Sequence, residues 1–266
     1  MLLRATGRHR RGPRLVLALA IATVGFPLGG CGTSTVAGVD VADTTLTVYA
    51  ASSMKSTFTA LGTAFEAAHP GYTVTFDFAG SQDLAQQITQ GAPADVFASA
   101  NDANMKTVTD AGLTEDAVRQ YATNRLTIAV PPDNPAKVAG FADLAAPGVK
   151  LVICAAAVPC GAAAVKVEQA TGVKLTPVSE EQAVADVLAK VQAGEADAGL
   201  VYVTDVKAAG ATVKGIDFPE SSRAVTTNSI VALKRGAGLG RSFVDLVLSP
   251  AGQQVLADAG FGKATP

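Results

Sequence analysis

The sequence predicts an α/β protein of two doubly wound lobes joined by two crossover segments. Three observations carry that prediction. Apolar residues switch repeatedly between the alternation of a strand and the three-and-four spacing of a helix, the signature of parallel βαβ winding. The pattern stops at Pro131-Pro132-Asp133-Asn134-Pro135 and then restarts, as a second lobe would. The 266 residues are 48% hydrophobic and 17% charged, enough apolar mass for two modest cores and far from a disordered or collagen-like composition.

The first 30 residues read as a signal peptide. Arg4, Arg8, Arg10, Arg11 and Arg14 precede an apolar run from Leu15 to Leu28, shorter than the roughly 20 residues a membrane-spanning helix needs. The run ends in Leu28-Gly29-Gly30-Cys31, which resembles the bacterial lipobox, so Cys31 is expected to become a lipidated N-terminus on the outer face of the cell membrane. Residues 31–43 are rich in Gly, Ser, Thr and Asp and read as a flexible tether.

Leu46 to Ala50 is a strand, and Met54, Phe58, Leu61 and Phe65 then mark a helix that stops at His69-Pro70-Gly71. Val74, Phe76 and Phe78 share one face of the next strand. A helix from about Ser81 carries Leu84 and Ile88 inward and ends at Gly91. Asp95 to Ala98 is a third strand, and Asn101 caps a helix running to Gly112. Leu126 to Val130 leads into the proline-rich break. Beyond it lie a strand from Val149 to Ile153, a helix from about Gly161 to Ala170, a helix ending at Gly194 and a strand from Ala198 to Val203. Ile230 to Leu233 is a last strand, followed by helical spacing through Phe243, Leu246, Val247, Val255 and Leu256. We therefore place the first lobe over residues 44–124 and 230–266 and the second over residues 125–229.

The formal charge is −2, but the five arginines of the leader mask the rest: without them 16 Lys plus Arg stand against 23 acids, a balance of −7. Such a chain lacks the basic face that nucleic acid requires. Enzyme chemistry also has few parts. His69 is the one histidine after the leader, too few for a histidine-based triad or zinc site, and its place at a helix end suits a dipole partner or a solvated residue. There is no G-x-S-x-G and no phosphate loop. Asp77, Asp83 and Asp95 read as surface or capping acids. Cys154 and Cys160 are close enough in sequence for a short closed loop, and export makes a disulfide the expectation. The competing reading is a reactive Cys160 thiolate at a helix start, the basis of a secreted thiol enzyme.

Uncharged donors stand at two strand-to-helix turns, Ala51-Ser52-Ser53 and Ala79-Gly80-Ser81. Ser52 and Ser81 read singly as helix caps. Together, at the carboxyl ends of parallel strands, such turns also make an anion site from free N–H groups and hydroxyls.

Ala50-Ala51-Ser52, Phe78-Ala79-Gly80-Ser81, Gly91-Ala92-Pro93-Ala94-Asp95 and Gly199-Leu200-Val201-Tyr202 resemble the molybdate-binding proteins of ABC importers, over roughly Leu46 to Phe261. The resemblance implies a type II periplasmic binding protein fold, a ligand cleft between the lobes, and molybdate or tungstate as ligand with no cofactor. It assigns ligation to the hydroxyls of Ser52, Ser81 and Tyr202 and to backbone amides at Cys160 and Val184. Cys160, within Pro159-Cys160-Gly161, stands where the family has a small unreactive residue, and a bridge to Cys154 would stiffen that turn. Val184 is contested locally. Ser179-Glu180-Glu181-Gln182 resembles a capping box that would start the helix earlier and consume the amide. The resemblance also implies a monomer that closes over its anion and passes it to an ABC permease. A receptor for sulfate or another tetrahedral oxyanion is the alternative.

Overall fold

The structure, a computed structural model, describes residues 44–264. The expected signal peptide, Cys31 and the tether lie outside the described residues. Among the described residues no helix is long and apolar enough to cross a membrane.

Strand β1 (Thr45–Ala51) runs through a 3₁₀ turn at Ser52–Met54 into helix α1 (Lys55–Ala68). The pairs β2 (Thr73–Ala79) with α2 (Ser81–Thr89), and β3 (Val96–Ser99) with α3 (Asp102–Asp110), repeat that unit. The apolar stripe of α1 does what its spacing requires: Phe58, Leu61 and Phe65 are all buried. Asn101 caps α3 by accepting the Asn104 N–H at 3.0 Å. After β4 (Arg119–Asn124) the chain builds a second set of elements: β5 (Leu126–Val130), β6 (Leu151–Cys154), α4 (Pro159–Thr171), β7 (Ser179–Glu181), α5 (Val184–Gln192), β8 (Ala198–Tyr202), α6 (Val203–Ala209) and β9 (Lys214–Ile216). It then returns through β10 (Thr226–Ala232), α7 (Ala237–Leu248), α8 (Pro250–Asp258) and β11 (Gly262–Lys263).

Two sheets result, with strand orders β11-β4-β10-β3-β1-β2 and β7-β6-β8-β5-β9. Each is parallel at one end, where β1 pairs with β2 and β3, and β6 with β7 and β8. Purely parallel winding is not what forms. Strands β4, β5, β9, β10 and β11 pair antiparallel. The links from β4 to β5 and from β9 to β10 contain no α-helical crossover, the device that parallel pairing needs. Some strands escape sequence patterning because they are short or polar: the parallel edge strand β7 is Ser-Glu-Glu, and β10 opens with Thr226-Thr227-Asn228-Ser229, ahead of the apolar run at Ile230.

The chain passes from the first sheet to the second at Arg125, between β4 and β5, and returns between Ile216 and Thr226. Pairing of Thr226 with Asn124 sets the two crossings side by side. The Thr226 hydroxyl donates to the Asn124 carbonyl at 3.3 Å, and Asn124 Nδ2 donates to Thr204 Oγ1 at 2.8 Å. Each sheet has its own core. In the first, Phe243 of α7 lies 6.0 Å from Phe58 and 5.6 Å from Phe65, so the end of the chain completes a core begun nearly two hundred residues earlier. In the second, Ile128, Val152, Val187 and Leu200 are buried together, with Phe141 stacked on Phe218 at 5.3 Å.

Candidate functional site

Ser52, Ser81, Cys160, Val184 and Tyr202 line one small cavity where elements of the two sheets meet. Its empty space is about 190 Å³. No lysine, arginine or acid is among its lining residues.

Each position follows from a strand-to-helix junction. Ser52 opens the 3₁₀ turn after β1, and Ser81 is the first residue of α2. Neither is a cap, which corrects the plainer reading of these serines: α1 is preceded by Met54 and α2 by Gly80, and neither helix start has a side-chain cap. Ser81 is fully buried, and its Oγ accepts the Ala100 N–H at 3.1 Å. That bond occupies a lone pair and leaves the hydroxyl proton free to be donated. Gly80 is dictated by a close approach, since a Cβ there would stand 2.2 Å from the Gln182 carbonyl oxygen. The same carbonyl accepts from Gln82 Nε2 at 2.9 Å, a bond that ties the two sides of the cavity together.

On the far side, Cys160 is the second residue of α4 and Val184 the first of α5. Both N–H groups belong to first turns, which have no partners within their helices. The capping-box reading of Ser179 is overturned. Ser179–Glu181 is a strand in register with Val152–Cys154, Glu181 pairs with Lys190 at 2.5 Å, and Ala183 precedes the helix. Cys154 and Cys160 are joined by a disulfide with a Cα separation of 5.7 Å. The bridge removes the thiolate on which an enzymatic reading would depend. Gly161 is required by the same turn, because a Cβ would lie 2.0 Å from the Ala155 carbonyl oxygen.

Tyr202 ends β8. Its ring is 1% exposed, and its hydroxyl has no hydrogen-bond partner. Burial, and then the neighbouring Asp205 carboxylate, push its pKa well up, with Thr226 nearby pulling the other way. Tyr202 is therefore a neutral donor. Its N–H donates to Asp205 Oδ2 at 2.8 Å, and burial raises the Asp205 carboxyl to about 7 despite that bond.

Other residues singled out by sequence stand elsewhere. The His69 ring stacks on Phe65 at 4.1 Å, with Nδ1 2.9 Å from the Phe65 carbonyl, and closes the end of α1. Asp83 lies in the first turn of α2 and accepts from Gln82 Nε2 at 3.1 Å. Asp95 is neither surface nor cap: it is buried, accepts the Thr47 N–H at 2.7 Å and pairs with Arg235. The described residues hold no group of three or more side chains suited to a metal ion. Sequence reading missed the amide of Ala100 and the buried acid Asp205, neither of which lies in a recognisable motif.

The sequence pattern of the bacterial extracellular solute-binding proteins matches residues 46–262. The chain belongs to this family. Among relatives, the molybdate-binding protein ModA of Mycobacterium tuberculosis is 47% identical over 220 residues, 82% of this chain and 84% of its own length. Among solved structures, the periplasmic molybdate-binding protein of Azotobacter vinelandii superposes with a TM-score of 0.69 at 22% identity, covering 83% of this chain and 99% of that one. The sulfate-binding protein SubI of M. tuberculosis superposes at 0.68 with 19% identity, covering 84% and 88%. At these identities the structural likeness shows the shared two-lobed fold. Membership makes the chain an extracytoplasmic solute-binding protein rather than an enzyme.

Proposed function

We propose that this solute-binding protein is a receptor for molybdate, and for tungstate as an ion of nearly the same size and charge, serving an ABC importer. The observation that carries the reading is the cavity: the hydroxyls of Ser52, Ser81 and Tyr202 and the first-turn amides at Cys160 and Val184 all border it, and no cation does. A buried dianion held there is neutralised by oriented dipoles and charge-assisted hydrogen bonds, strong in a site closed to water. The unpartnered Tyr202 hydroxyl gains in the complex the acceptor that it lacks alone. The high identity to a molybdate-binding relative supports this ion over other tetrahedral oxyanions.

In this reading the first lobe is residues 44–124 with the chain from Thr226 onward, four residues earlier than the sequence suggests because β10 begins there, and the second lobe is residues 125–225. They close by rotation about the paired crossings at Arg125 and Thr226, and the closed monomer presents its anion to the permease. Lipidation of Cys31 would hold it at the outer face of the membrane. The test is thermal unfolding with molybdate, tungstate, sulfate or phosphate at equal concentration. Ligand at about 1,000 times its dissociation constant adds roughly 4 kcal/mol, a rise on the order of 10 °C for a protein of this size. A large shift with molybdate and tungstate and little with the others is expected; a shift with sulfate alone reassigns the ion, and no shift rejects the reading.

A further inference from the structure

Ser53 borders the same cavity as Ser52, Ser81 and Tyr202. It is 8% exposed, and its buried Oγ has no hydrogen-bond partner. Other buried hydroxyls nearby are used: Thr57 donates to the Met54 carbonyl at 2.9 Å, and Ser81 accepts from Ala100. Buried polar groups in native proteins are seldom left unbonded, so an orphaned hydroxyl at a cavity wall calls for a partner. Tyr202 is the other buried hydroxyl on this wall without a partner, and it comes from the opposite side.

We propose that Ser53 donates its hydroxyl to the bound oxyanion, so that the turn after β1 supplies two adjacent hydroxyls to the ligand rather than one. The inference rests on the oxyanion-receptor reading above and extends it. A fully deprotonated tetrahedral dianion offers four oxygens that only accept, and each accommodates more than one donor. A wall with hydroxyls from Ser52, Ser53, Ser81 and Tyr202 suits that class of ligand, because every contact is a donor with no fixed charge behind it.

The test is calorimetric titration of the exported protein with sodium molybdate, comparing wild type, Ser53→Ala, Ser53→Thr and Ser81→Ala, alongside the ligand-free unfolding midpoint of each. Ser53→Ala is expected to bind at least about tenfold more weakly, as loss of a hydrogen bond to a charged group does, while its ligand-free midpoint stays level or rises. Ser53→Thr, which keeps the hydroxyl, is expected to hold affinity within a few-fold. If Ser53→Ala binds as tightly as wild type while Ser81→Ala does not, the proposal is overturned and the receptor reading stands. A clear drop in the ligand-free midpoint of Ser53→Ala also overturns it, since the hydroxyl would then have a partner inside the fold. Failure of the wild type to bind molybdate sinks the receptor reading, and this inference with it.

Discussion

Tyr202 carries a structural cost that ligation of an anion would offset. Its ring fills the second core, while its hydroxyl is buried without a partner, an arrangement that destabilises the ligand-free protein by about 1–3 kcal/mol. Tyr202→Phe is therefore expected to raise the ligand-free unfolding midpoint slightly and to weaken molybdate binding tenfold or more, a pair of opposite changes that calorimetry and thermal unfolding resolve. Asp205, beside it, predicts a pH dependence. Its folded pKa of about 7 lies above its ordinary value of 3.8, so the folded state holds the proton more tightly. Stability from this group is greatest below about pH 4, declines as pH rises to 7, and is level beyond that. Asp205→Asn keeps an acceptor for the Tyr202 N–H and should flatten the decline, which urea unfolding between pH 4 and 8 measures. Asp95 makes a different point. It belongs to the Gly91-Ala92-Pro93-Ala94-Asp95 segment that carries part of the family resemblance, yet it does not line the candidate cavity. Its carboxylate takes the Thr47 N–H, its carbonyl takes the Leu233 N–H at 2.8 Å, and it pairs with Arg235. The motif holds β1, β3 and the start of the C-terminal segment together.

At the scale of elements, the site is an assembly of strand-to-helix junctions, and their spacing depends on close backbone approach. Gly80 permits the Gln182 carbonyl of the opposing side to come within bonding distance of Gln82. Gly80→Ala should leave the unfolding midpoint of the ligand-free protein within a few degrees, because an open arrangement relieves the clash. It should weaken molybdate binding severalfold or more by opposing closure. Small-angle scattering with saturating ligand checks the cause: the variant is expected to compact less than the wild type. Helix α5 shows local signals losing to pairing. Ser179-Glu180-Glu181-Gln182 has the residues of a capping box, but alignment of Ser179–Glu181 beside β6 takes the backbone into the sheet, and Lys190 takes the Glu181 carboxylate. The helix consequently begins at Val184, which leaves that amide free at the cavity.

At the scale of the whole molecule, early and late segments of the described residues share one core. Phe243 of α7 packs on Phe58, Phe65 and Phe76, so the first sheet is complete only after the second has been built. Phe243→Ala is expected to cost about 3–5 kcal/mol, read as a lower midpoint in urea. Because the cavity is built from both sets of elements, the loss should extend to molybdate binding near the melting range while leaving affinity at low temperature close to wild type. The two crossings between the sheets lie side by side and are tied through Asn124, Thr204 and Thr226.

Much of this was legible in the sequence because it is local. The apolar stripe of α1, the alternation of β2, the cap at Asn101 and the paired cysteines depend on residues a few positions apart, and periodicity reports them directly. Ser52, Ser81 and Tyr202 are proposed as ligands from short segments that resemble a known family, and the structure brings all three to one cavity. Tertiary structure decided the remainder. Only strand pairing settles that β10 begins at Thr226, that Ser179 lies in a sheet, and that Asp95 is buried between distant segments. Only the meeting of the two sides leaves the hydroxyls of Ser53 and Tyr202 unpaired at one cavity. The physical reason is the same in each case: a hydrogen-bonding group is committed by whatever partner comes within about 3 Å, and for these residues the candidates are set by the fold rather than by their neighbours in sequence.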